Sequence, residues 1–140
     1  MIFIDTSIIM YAAGKNHPNK KPSVDLLRLI AVGEIDAVIN VEVIQEILHR
    51  YTMIKMKDMG IKLAKDVIAL IPRIYSIELS DVIKAMSILE TYNLTSRDAI
   101  HIAFMINKGI KEACTYDKHF FNVKEICAYT PEEIIRKYRD

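Results

Sequence analysis

Four carboxylates stand out by position. Asp5 directly follows the short apolar run Ile2–Ile4 and precedes Thr6 and Ser7, all residue types that cap helices. Asp117 lies just past Cys114-Thr115-Tyr116 and ahead of the aromatic pair Phe120-Phe121. Asp98 opens a long apolar segment after Ser96 and Arg97, and Glu46 sits within Val43-Ile44-Gln45-Glu46-Ile47-Leu48. A carboxylate at the end of a buried parallel strand faces the crevice where open α/β sheets bind ligands. Several carboxylates gathered there repel one another and raise each other's pKa values. A bound divalent cation removes that conflict, and hard oxygen ligands suit Mg²⁺ or Mn²⁺. Such a centre activates a water and neutralises charge at a phosphate, which suits phosphodiester hydrolysis.

Each carboxylate also has a plain structural reading. Asp5 serves equally as a helix cap. Asp117 fits a solvated turn. The helix dipole favours an anion at Asp98 by ~0.3–1 kcal/mol. A helical wheel sets Glu46 away from the apolar face, near Glu42 and Arg50, and so toward solvent. Other chemistries lack their signatures. There is no G-x-G-x-x-G, no phosphate-binding G-x-x-x-x-G-K-[ST] and no G-x-S-x-G elbow. His17, His49, His101 and His119 show no H-E-x-x-H pairing and read as surface or internally satisfied histidines.

The elements that must position these groups follow from pattern. Short strands are expected at Ile2–Ile4, Ala37–Ile39, Ile74–Leu79, Glu112–Tyr116 and Glu125–Tyr129. Helices are expected over Ile8–Ala12, from Pro22 to Gly33, after Asn40, over Asp58–Leu70, after Ser80, after Ser96 and after Thr130. Gly14–Pro22 reads as a loop with three lysines. The helix after Ser96 is apolar almost all round, so it is placed centrally. Alternating strands and helices argue a mostly parallel α/β sheet flanked by helices.

Composition sets the outer bounds. The chain has 140 residues, a length for one domain over 1–140. With 51% hydrophobic and 26% charged residues it folds rather than staying disordered. A net charge of +1 means that any nucleic-acid contact comes from a local patch. Two cysteines make neither a disulfide scaffold nor a four-ligand zinc site; they read as buried thiols in a reducing compartment. No run reaches the ~18 apolar residues of a membrane span, so a soluble cytoplasmic protein is expected.

Ile2-Phe3-Ile4-Asp5-Thr6-Ser7, Val43-Ile44-Gln45-Glu46-Ile47-Leu48, Ser96-Arg97-Asp98-Ala99-Ile100-His101-Ile102-Ala103 and Thr115-Tyr116-Asp117-Lys118-His119-Phe120 resemble the four motifs of PIN-domain nucleases. The subgroup they are most similar to is the small VapC-type toxins. The resemblance spans nearly the whole chain. It implies a PIN-like fold and a Mg²⁺- or Mn²⁺-dependent endoribonuclease. Asp5, Glu46, Asp98 and Asp117 match the family's metal-site and catalytic acids, and Thr6 or Ser7 and Thr115 its supporting hydroxyls. For Glu46 the resemblance and the helical wheel disagree; the resemblance is followed, with Glu42 as the fallback. A VapB-type antitoxin and a homodimer are the partners it implies.

Lys20, Lys21, Arg97 and Lys118 are candidates for the cationic rim that an acidic centre needs to attract RNA. Met53, Met56 and Met59 are placed in the core rather than an interface. The competing function is a PIN-like module that binds RNA or protein without cutting, disfavoured by acids at all four positions. A phosphorylated receiver domain is disfavoured because Thr6-Ser7, not a second acid, follows Asp5.

Overall fold

A computed structural model describes residues 1–140. Its elements run β1 (Ile2–Ile4), α1 (Thr6–Ala13), α2 (Lys20–Ala31), β2 (Ala37–Asn40), α3 (Val41–Met53), α4 (Lys57–Leu70), β3 (Arg73–Tyr75), α5 (Leu79–Thr91), α6 (Ser96–Lys108), β4 (Glu112–Cys114), a 3₁₀ turn (Lys118–Asn122), β5 (Cys127–Tyr129) and α7 (Pro131–Arg139). The five strands form one sheet in the order β3-β2-β1-β4-β5, every pair parallel. Phe3 pairs with Val38 on one side and Ala113 on the other, so β1 is central. Such strands are buried on both faces, which is why they read as unbroken apolar runs.

The helices pack in pairs, α1 with α2, α3 with α4 and α5 with α6, while α7 lies on α2. As its composition requires, α6 is central: Ala99, His101, Ile102, Ala103, Phe104 and Met105 are all buried. No helix is long and apolar enough to cross a membrane.

Several boundaries differ from expectation for local reasons. Helix α2 begins at Lys20, so Lys20 and Lys21 form its first turn rather than a loop. Helix α5 begins at Leu79; the Asp81 carboxylate, not Ser80, closes the turn by accepting the Glu78 backbone N–H at 2.9 Å. Thr95 rather than Ser96 caps α6, accepting the Asp98 N–H at 3.3 Å. Strands β3 and β4 end earlier and β5 begins later than expected, each spanning only residues with a parallel partner in the neighbouring strand.

Two packing expectations are corrected. Cys114 is buried, but Cys127 is exposed on the edge strand β5. Met53, Met56 and Met59 are 68%, 41% and 53% exposed and are not core. They straddle the α3–α4 junction, and α4 turns only Gly60, Ala64 and Val67 fully inward. Spacing alone does not say where a helix ends relative to the sheet that covers it.

Gly60 marks the tightest approach in this pair. A Cβ there would stand 2.5 Å from the Tyr51 Cβ of α3. Gly60→Ala gains about 1 kcal/mol of helix propensity but forces two helices apart. We expect a net loss of about 1–3 kcal/mol in a urea titration. An unchanged midpoint would mean that α3 and α4 separate without cost.

Candidate functional site

The chain runs from β1 outward through β2 and β3, then returns to add β4 and β5 on the other side. The carboxyl ends of β1 and β4 thus meet where the strand order reverses, the crevice in which open α/β sheets bind ligands. Asp5 stands there. It is 5% exposed, and its backbone N–H continues the ladder by donating to the Cys114 carbonyl at 3.0 Å. The two readings of Asp5 coincide: it caps α1 by accepting the Ser7 N–H at 3.4 Å, and its carboxylate lines the crevice.

Two hydroxyls hold it. Thr115 Oγ1 donates to Asp5 Oδ2 at 2.7 Å and accepts the Asp117 N–H at 2.9 Å. Ser7 Oγ donates to the same oxygen at 2.8 Å and accepts the Tyr116 N–H at 3.2 Å. These bonds tie the end of β1 to the segment after β4. Burial pushes the Asp5 carboxyl above the ordinary carboxylate range, and the hydroxyl bonds offset this only in part. Thr6 also lines the crevice. Its buried Oγ1 has no hydrogen-bond partner in the protein.

Asp98, in the first turn of α6, faces Asp117. Burial first, and the neighbouring Asp117 second, raise its pKa to about 7. Asp117 moves the opposite way. Burial works to raise it, but the His119 backbone N–H at 2.9 Å, a shared hydrogen bond with Asp98 and the His119 ring at 2.8 Å lower it. One proton between two carboxyls is what a like-charged pair adopts without a cation.

Glu46 enters the same crevice despite its helical-wheel position, with a side chain 16% exposed. His101, fully buried on α6, lies 2.5 Å from Glu46 Oε1 through Nε2. Behind it the Asn40 side-chain amide meets His101 Nδ1 at 3.1 Å. Glu42, the fallback, does not line the crevice and sits 3.7 Å from Arg97, which does.

The crevice, about 230 Å³, is thus lined by Asp5, Thr6, Ser7, Met10, Glu46, Arg50, Arg97, Asp98 and Asp117. All four candidate acids are brought together, with Ser7 and Thr115 bracing one of them. Of the candidate cations only Arg97 reaches the lining. Lys118 is exposed beside Asp117. Lys20 donates to the Gly14 carbonyl, and Lys21 pairs with Asp25 at 2.9 Å in a separate groove with Arg136 and Arg139.

Sequence reading gave Arg50, His119, Asn40 and His101 structural or solvent-facing roles and no part in the site. His119 carries one detectable signal, its spacing two residues from Asp117. Asp98, Asp117 and His119 bring ligand atoms within 4.8 Å of one another. The donor set suits a divalent cation: carboxylates that otherwise share a proton, a neighbouring imidazole and an unpartnered buried hydroxyl at Thr6.

The Asp98 shift has a testable consequence. A carboxyl raised from 3.8 to about 7 on folding imposes no penalty below its unfolded pKa. It destabilises progressively as pH rises between those values. In EDTA, Asp98→Asn is therefore expected to be more stable than the parent chain at pH 8. The gain is on the order of 1–2 kcal/mol after discounting for solvent screening, and the gap should close toward pH 4. Thermal melts across that range check it; equal stability at pH 8 would show that the acids do not compete.

Comparison with known proteins identifies the family. A family model described as PIN domain matches residues 2–126. Ribonuclease VapC13 of Mycobacterium tuberculosis is 38% identical over 122 residues, covering 86% of this chain and 92% of the relative. Ribonuclease VapC23 of the same organism is 28% identical over 118 residues, covering 84% and 93%. Among solved structures, the sarcin-ricin-loop-cleaving toxin VapC20 of M. tuberculosis superposes with a TM-score of 0.74 at 19% identity, covering 90% of this chain and 97% of that one. VapBC2 of Rickettsia felis, bound to promoter DNA, gives 0.72 at 17%, covering 93% and 98%. The sequence and fold place this chain in the PIN-domain family, among its VapC ribonucleases.

Proposed function

We propose that this protein is a Mg²⁺- or Mn²⁺-dependent endoribonuclease and the toxin of a toxin–antitoxin pair. The observation that carries the proposal is the convergence of Asp5, Glu46, Asp98 and Asp117 on one crevice at the strand-order reversal. Relatives named as ribonucleases over nine-tenths of their length support it.

In this reading the four carboxylates would hold the cation, with His119 and the Thr6 hydroxyl as further donors. A divalent cation there supplies a water of lowered pKa and neutralises charge on the phosphate. The chain's own residues do the remaining work. Ser7 and Thr115 both donate to Asp5 Oδ2, which fixes the carboxylate plane and leaves its other oxygen for the crevice. Arg97 and Arg50 on the wall bind phosphate oxygens of RNA and hold the scissile bond over the acids. Lys118 extends that rim beside Asp117. Lys20 and Lys21, engaged elsewhere, fall outside the proposed contact surface.

A protein partner is supported by apolar surface. Met53, Ile54, Met56, Met59 and Ile61 are all more than two-fifths exposed around the α3–α4 junction, and a surface that apolar favours cover. Structures of the same fold include toxin–antitoxin complexes, among them one from Klebsiella pneumoniae. We assign this chain a VapB-type antitoxin and a homodimeric state in its absence.

RNA cleavage by purified protein is expected with Mn²⁺ or Mg²⁺ and not in EDTA. Asp5→Asn and Asp98→Asn are each expected to lower the rate by about 100-fold or more. Full activity in both variants would overturn the site. Light scattering at micromolar concentration is expected to give twice the chain mass, and a monomer would remove the homodimer.

A further inference from the structure

We infer that Asn40 and His101 are positioning residues that aim the Glu46 carboxylate into the crevice. The inference rests on the proposed role of Glu46 in the metal site. It is read from a directed chain of hydrogen bonds crossing three elements.

The direction is fixed from the far end. Asn40 closes β2 and caps α3, and its Oδ1 accepts the Val43 backbone N–H at 3.2 Å. That commits the amide oxygen to the helix and leaves Nδ2, which can only donate, facing His101 Nδ1 at 3.1 Å. Nδ1 must therefore be the acceptor, so the ring proton sits on Nε2. Nε2–H then donates to Glu46 Oε1 at 2.5 Å.

Asn40 and His101 are both fully buried. The Phe3 ring lies 5.1 Å from the imidazole at a 46° tilt and limits its rotation. Burying an amide and an imidazole gains nothing over an apolar pair unless their bonds are used. Here they are used to hold a residue whose own helix would leave it free. Glu46 sits one turn along α3 on the polar side, where an unrestrained side chain samples several rotamers. The chain reaches it from α6, and only Oε1 is taken.

Histidine and glutamine both place a nitrogen donor at the Nε2 position, while asparagine reaches only the Nδ1 position. This gives a discriminating set of variants: His101→Gln, His101→Asn, Asn40→Ser (which keeps the helix cap), Glu46→Gln and the double variant His101→Asn/Glu46→Gln. The readout is Mn²⁺ binding, measured by electron paramagnetic resonance of the free ion, with thermal melts in EDTA as the check on folding. Loss of an outer-shell partner typically weakens metal binding by about 10–100-fold. His101→Asn and Asn40→Ser are expected to bind Mn²⁺ at least about 10-fold more weakly. His101→Gln should bind close to the parent, and the double variant no more weakly than Glu46→Gln alone.

If Glu46→Gln weakens binding while His101→Asn does not, the positioning role is wrong. The same holds if the two losses multiply in the double variant. If Glu46→Gln itself leaves binding unchanged, the proposed site fails first, and the inference fails with it. Should His101→Asn not melt cooperatively, Asn40→Ser against His101→Gln decides: equal affinities overturn the inference.

Discussion

Like charges must be kept together where a sheet reverses its strand order, and most of the surrounding structure follows from that demand. Left alone, four carboxylates in one crevice would splay apart or take up protons. Here each is held by a different device. Asp5 is locked by two hydroxyls and its own helix cap, and Asp117 by its backbone turn and the His119 ring. Asp98 is presented by the first turn of a buried helix, and Glu46 is reached by an imidazole. The residual conflict shows in the Asp98–Asp117 pair, whose pKa values are driven apart.

The arrangement sets stability against function in a specific way. Asp5, Asn40, His101 and Thr115 are all nine-tenths or more buried, at the edge of a core made of apolar side chains. An apolar repacking of the same volume would be easier to fold. What the polar groups provide is geometry: Thr115 alone bridges Asp5 and the Asp117 backbone, fixing two candidate ligands from one hydroxyl. A cation bound among these acids would relieve their repulsion, and the same charges would then couple folding to its binding.

Local physics made much of this legible. Ile2–Ile4 followed by Asp5, Thr6 and Ser7 reads as a buried strand feeding a helix, and that placed Asp5 at the carboxyl end of a strand. The Thr130-Pro131 start of α7 appears as written, because a proline at the first turn and a glutamate three residues past the cap leave few alternatives. Boundaries slipped where two cap-type residues stood in tandem, as at Thr95 and Ser96. Core assignments slipped at the exposed junction of two helices, as at Met53 to Met59. The Glu46 position shows a real limit: a wheel ranks side chains against their own helix, whereas the crevice is made by the ends of β1 and β4 and the start of α6.

The sequence by itself determined the alternation of strand and helix, the four acids in their order, and the place of Asp5, Asp98 and Asp117 at element ends. Those depend on neighbours a few residues apart. Only the tertiary structure decided which groups share a hydrogen bond. Asn40, Glu46 and His101 are separated by up to 61 residues, Asp5 and Thr115 by 110. Nothing local in a buried asparagine or histidine distinguishes one that satisfies the core from one that aims a carboxylate. Parallel pairing of β1 with both β2 and β4 brings those distant positions together, and that pairing is an energy of the whole sheet rather than of any segment.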